Sequence, residues 1–183
     1  MRPLTIFVVA ATTVLLVCAA GNASPQSTTT NNGSTSNSAL QAEKNEVRDF
    51  PLTTAKLSQY EAAEKAYRAL MTKDPKLAQQ LDAEITRAGV KTISGAVKIM
   101  ETHPPIVSAI GGSGLNVHDY VVMTYTLMDA SGAVAAKKKG SKEDFSAAVL
   151  PSNMAFVEKH YEKVTKVLGN ISGPSKDKDD DDD

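Results

Sequence analysis

"GLNVHDYVVMTYTLMDASGAVAAKKKG", residues 114–140, is the stretch on which the fold class turns. Its first half, Val117 to Thr126, is rich in Val, Thr and Tyr, side chains that favour a pleated strand. Against that, Asn116 stands where a helix N-cap belongs, and Asp119 follows three residues later in a variant of the capping box. Tyr120, Thr124, Leu127, Ser131 and Val134 then recur at four and three residues, the spacing of one face of a helix. Lys137-Lys138-Lys139-Gly140 places cations and a glycine where a helix ends. The stretch therefore reads as the longest helix of an all-α protein.

The segments on either side follow the same period. Upstream, Thr53 or Thr54 can cap a helix over about 54–72 that carries Leu57, Tyr60, Tyr67 and Leu70 or Met71 on one face, with Glu64 as its polar exception. Asp74-Pro75 supplies a cap and a first-turn proline for a second helix, which carries Leu77, Leu81 and Ile85 and stops at Gly89. Thr92 to Thr102 gives a third, with Ile93, Val97 and Met100, and Pro104-Pro105 closes it. Pro105 opens a short helix bearing Ile106, Val107 and Ile110, ended by Gly111-Gly112-Ser113-Gly114.

Downstream, Ser141 and Asp144 predict a small capped turn around Phe145. Pro151 begins a final helix with Val157, Tyr161, Val164 and Leu168, which ends at Gly169-Asn170. No alternating stretch is long enough to compete as a strand. The expected architecture is a compact bundle of three long helices plus several short ones, spanning residues 50–170, with mostly antiparallel neighbours.

What precedes the bundle reads as an export leader. Arg2 gives a basic start, Leu4 to Val17 is an apolar run of about 14 residues, and Gly21-Asn22-Ala23 offers the small residues of a cleavage site. A bilayer-spanning helix needs roughly 20 apolar residues, so residues 1–23 are expected to be a removed signal peptide cut after Ala23. Cys18 is the only cysteine in the chain. It leaves with that peptide, or, if Leu15-Leu16-Val17-Cys18 serves as a lipobox, it becomes a lipidated first residue and the sole link to a membrane. Val17 departs from the small residue that such a motif has there. Either way the folded domain contains no thiol, which excludes disulfides and cysteine chemistry from it.

Residues 24–49 read as a disordered Ser/Thr/Asn-rich spacer. From Ser24 to Ser38 there is too little apolar surface to offset the entropy of ordering, and Ala39 to Phe50 has room for a marginal helical turn or two. At the other end, residues 171–183 read as a disordered acidic tail, with six aspartates in the last seven positions. The chain holds 20 basic side chains, of which Arg2, Lys176 and Lys178 lie in the leader and tail, and 21 acidic ones, of which six are tail aspartates. The fold itself is thus close to neutral, and no nucleic-acid partner is implied.

Few residues invite chemistry. The Gly111 to Gly114 loop lacks the preceding strand and the Gly-Lys-Ser/Thr ending of a phosphate loop, so it reads as a helix connection. Lys137 to Lys139 and Lys142 match a helix C-terminus and have no interleaved aromatics for stacking on bases. His103, His118 and His160 have no i, i+4 pairing, so no metal site is expected. In an antiparallel bundle Met71 and His160 can approach as axial ligands of a b-type haem, and these two are the cofactor-binding candidates. The carboxylate pairs Glu61 with Glu64 and Glu158 with Glu162 share their helices with Lys65, Lys159 and Lys163, as solvated, ion-paired faces do.

Three stretches, "FPLTTAKLSQYEAA", "GLNVHDYVVMTYTLMDA" and "PSNMAFVEKHYEKV", together resemble a pattern in uncharacterised exported helical proteins of bacteria. The resemblance spans about residues 50–168, rests on Tyr120, Asn153 and Phe156, and brings no activity with it. The leading expectation is an exported, noncatalytic helical domain, periplasmic or secreted, that acts through surface contacts with a protein or envelope partner and needs no cofactor. The alternative is a carrier of a small apolar ligand or haem, suggested by Tyr60, Tyr67, Tyr120, Tyr125, Met71, Met100, Met123 and Met128 on or near inner faces. An enzyme of unidentified class is the third, with no catalytic residue to nominate.

Overall fold

The computed structural model describes residues 33–172, and among these every regular element is helical. Eight helices follow one another: α1 (Gly33–Asp49), α2 (Thr54–Lys73), α3 (Pro75–Ala88), α4 (Ile93–Glu101), α5 (Pro104–Gly111), α6 (Val117–Lys138), α7 (Pro151–Lys159) and α8 (Tyr161–Ser172). The signal peptide with Cys18 and Ala23, the spacer up to residue 32 and the tail beyond residue 172 lie outside the described residues.

Local chemistry sets most boundaries. The Thr53 hydroxyl accepts from the N–H of Lys56 at 3.2 Å, Asp74 from Leu77 at 3.0 Å, Thr92 from Gly95 at 3.0 Å and Asn116 from Asp119 at 2.7 Å. Each satisfies one of the donors that a helix leaves free at its start. Gly89 ends α3 at φ 57°, a left-handed conformation that glycine adopts without steric cost.

α6 is the axis of the molecule and packs against α1, α2, α4, α5, α7 and α8. Val122, Met123, Leu127, Ala130 and Val134 are fully enclosed, and Val117, Tyr120, Val121, Thr126 and Ala133 are buried around them. Burial on so much of its circumference settles the conflict in its composition. The helix propensity deficit of Val, Thr and Tyr is a few tenths of a kcal/mol each, whereas full burial of a side chain such as Leu127 contributes about 1.5–3 kcal/mol. An isolated strand there would have nothing to pair with.

Two expectations are corrected. Residues 33–49 are not spacer: they form α1, which docks on α6. Val47 is buried, and the Thr126 hydroxyl donates to the Val47 carbonyl at 2.9 Å. The Glu43 carboxylate accepts from the backbone N–H groups of Ile93 at 3.0 Å and Ser94 at 2.9 Å, and from the Ser94 hydroxyl. It thereby caps α4 from another helix, placing negative charge at a positive helix end. These tertiary bonds supply what the local composition lacks.

The single helix expected over 151–168 is broken at His160, whose backbone leaves helical geometry at φ −114° and ψ 23°. The His160 N–H is shared between the Phe156 and Val157 carbonyls at 3.1 and 3.2 Å. α7 and α8 can thus each pack against α6, with Val157 and Val164 both fully buried. α8 runs on past Gly169-Asn170 to Ser172.

Asn153, in the first turn of α7, is 1% exposed and does not cap its helix. Its amide donates to the Phe50 carbonyl at 2.8 Å and accepts from the Leu52 N–H at 3.0 Å, tying the α1–α2 link to the far end of the chain.

Candidate functional site

Four helices leave a cleft of about 140 Å³ between them. α2 contributes Glu64, Tyr67, Arg68 and Met71, which stand at i, i+3, i+4 and i+7 and so share one face. α3 and α4 contribute the i, i+4 pairs Leu81 with Ile85 and Ala96 with Met100. α6 closes the remaining side with Tyr120, Val121, Thr124, Tyr125 and Met128. Most of the wall is apolar or aromatic. Met128, 45% exposed, stands at the rim.

The one charged corner lies on α2. Glu64 is 6% exposed, and both of its oxygens are engaged. Oε1 accepts from Arg68 Nε at 2.5 Å and Oε2 accepts from the Tyr120 hydroxyl. A buried carboxylate is costly unless paired and hydrogen-bonded, and here it is both. Arg68 is less complete: its Nη2 is closed off from water and has no hydrogen-bond partner among the described residues. An unpaired buried donor forfeits its hydration with nothing in return.

Behind the corner stands an aromatic brace. Tyr60 stacks on Tyr120 with ring centroids 5.3 Å apart, and Tyr67 leans against the same ring at 6.0 Å. The Tyr60 hydroxyl pairs with Thr124 Oγ1 at 2.9 Å. Burial raises the Tyr60, Tyr67 and Tyr120 hydroxyls above their ordinary ionisation range, and the nearby Glu64 charge adds to it. Tyr67 is pushed up to about 12. These hydroxyls therefore stay protonated, and those of Tyr60 and Tyr120 serve as hydrogen-bonding groups.

Of the aromatic and methionine residues expected on inner faces, Tyr67, Tyr120, Tyr125, Met71, Met100 and Met128 line the cleft. Met123 is fully buried in the core and Tyr60 backs the wall. Of the two haem-ligand candidates, Met71 lines the cleft and His160 packs on Phe156, with ring centroids 4.6 Å apart, in the α7–α8 break. His103 is buried against Glu84 at 2.9 Å, and His118 faces Glu46 at 3.4 Å. No cluster of three metal-ligating side chains occurs among the described residues.

The remaining motifs are absorbed by structure. In the Gly111 to Gly114 loop the N–H groups of Gly112, Ser113 and Gly114 bond the carbonyls of Ser108, Ile110 and Gly111, so none of the three points outward at an anion. Lys138 lies over the Tyr161 ring at 3.5 Å. Glu61 pairs with Lys163 at 2.7 Å, which separates it from Glu64 as a catalytic partner. No helix among the described residues is long and apolar enough to cross a membrane.

Sequence reasoning registered Glu64 as a polar interruption and left Arg68 unremarked. The signal was present: a Glu on an apolar stripe followed by Arg at i+4. Comparison with known protein families, curated proteins and solved structures finds no match for the chain.

Proposed function

We propose that this chain binds and carries a small, mostly apolar molecule in the cleft between α2, α3, α4 and α6. The observation that carries the reading is a mostly apolar and aromatic cavity with one charged corner, the arrangement by which small-molecule sites combine affinity with orientation. Binding is favoured over turnover because both Glu64 oxygens are occupied by Arg68 and Tyr120, so the carboxylate is not free to act as a base. The reading through surface contacts has less support: among the described residues, the large hydrophobic ones that stand exposed, Leu40, Val107 and Met128, lie on three different helices.

Native mass spectrometry of the protein purified from its own source tests the proposal. The expected result is a non-covalent adduct, or uptake of an added apolar probe, that is lost when Ala96→Phe fills the cleft. A bare polypeptide mass with no probe uptake refutes it.

The leader places this carrier outside the cytoplasm as part of the same proposal. Intact mass of the processed chain distinguishes its two forms, since a start at Ser24 means a free protein and an acylated Cys18 means a membrane-anchored one.

A further inference from the structure

One methionine of the cleft stands apart from the rest. Met71, Met100, Met123 and Met154 are 7% exposed or less, whereas Met128 is 45% exposed. It sits midway along α6, where the helix encloses its own backbone, so the exposed area belongs to the thioether side chain. The same side chain is part of the cleft wall: Val121, Thr124, Tyr125 and Met128 recur at three and four residues on one face of α6, and Met71 and Met100 line the cleft from α2 and α4. The rim thioether is half in water, and the two deeper ones are buried.

A thioether in contact with water is open to oxygen transfer. Its sulfur gives an electron pair to one oxygen of hydrogen peroxide, the O–O bond breaks, and the other oxygen leaves as water with the proton of the oxygen transferred. The sulfur is oxidised by two electrons and the peroxide is reduced by two. The product is a sulfoxide, so a flexible apolar side chain becomes a polar one with an acceptor oxygen. No cysteine occurs among the described residues, and no thiol there competes for the oxidant.

An oxidised rim changes what the cleft can hold. In the empty cleft the sulfoxide oxygen is hydrated, and an apolar molecule seated against it displaces that water without offering a donor in return. The walls made by Leu81, Ile85 and Met100 are unaltered, but part of the gain from covering them is offset by desolvation of the rim. Resting on the cleft being a ligand site, we propose that Met128 is its oxidation-sensitive gate: a hydroperoxide converts the thioether to the sulfoxide, and the chain then releases its apolar ligand.

Dilute hydrogen peroxide applied to the full chain, followed by peptide mapping and by calorimetric titration with benzene, tests this. Benzene is a molecule that an apolar cavity of about 150 Å³ takes. Met128 is expected to oxidise first, at least about sixfold faster than Met71, Met100, Met123 or Met154, in the ratio of 45% to 7% exposure. The chain oxidised at Met128 should keep its helical circular dichroism and bind benzene about fivefold more weakly, the effect of desolvating one polar group without a partner. In Met128→Leu the affinity for benzene, whatever its starting value, should be the same before and after peroxide. Equal oxidation of a buried methionine, unchanged benzene affinity after oxidation of Met128, loss of helicity along with it, or an equal loss of affinity in Met128→Leu each overturns the inference and leaves the apolar carrier standing. Failure of the untreated chain to take up benzene counts against the carrier itself, and the gate falls with it.

Discussion

At the scale of single residues, the chain concentrates its polar cost at few points and satisfies nearly all of them. Glu64 is buried with two donors, and Asn153 is buried with one donor and one acceptor from the 50–52 link. Replacing Tyr120 by Phe keeps the stacking on Tyr60 but strips a donor from Glu64. A loss of about 1–3 kcal/mol is expected, read from urea denaturation. Asn153→Leu strands the Leu52 N–H and the Phe50 carbonyl together and should cost roughly 2–4 kcal/mol by the same measurement. A spectrophotometric pH titration checks the tyrosines. Tyr60, Tyr67 and Tyr120 should show no phenolate absorbance near the ordinary tyrosine range around pH 10, Tyr67 beginning to ionise only toward about pH 12, until unfolding exposes them.

At the scale of elements, the helices that carry their own signals differ from the one that borrows them. α2, α3, α4 and α6 have caps and periodic faces written locally, and their starts fall where Thr53, Asp74, Thr92 and Asn116 place them. α1 has only Val47 buried among its described side chains and depends on Glu43 at the start of α4. Burial of Glu43 opposes ionisation, yet the bonds from Ser94 and Ile93 prevail and hold its carboxyl below the ordinary value of 4.5. Because the folded value is the lower one, this contact stabilises the protein fully above pH 4.5 and loses its contribution as pH falls through the folded value. Protection of the α1 amides, referred to their intrinsic exchange rate at each pH, should therefore fall on acidification below that point. In Glu43→Gln the protection of α1 should be weaker at neutral pH and change less on acidification, and an unchanged profile would remove Glu43 from the docking of α1.

At the scale of the whole molecule, α6 binds the bundle into one core, so unfolding should be a single cooperative transition with coincident fluorescence and circular-dichroism midpoints. A ligand held in the α2–α3–α4–α6 cleft at about a hundredfold its Kd should add about 2.7 kcal/mol and raise the Tm, an increase that Ala96→Phe should abolish. The amino-acid sequence by itself determined the all-helical class, the capped starts at Thr53, Asp74 and Asn116 and the apolar faces that became the cleft, because hydrophobic period and capping act within a few residues. It also marked Glu64 as out of place on its stripe. Only the tertiary structure decided that Tyr120, 56 residues away, would complete that carboxylate, that Glu43 would turn a polar segment into α1, and that Arg68 would keep a buried donor free. Those outcomes depend on which helix faces meet, and the free energy of such contacts comes from burial between segments distant in the chain, which no local pattern records.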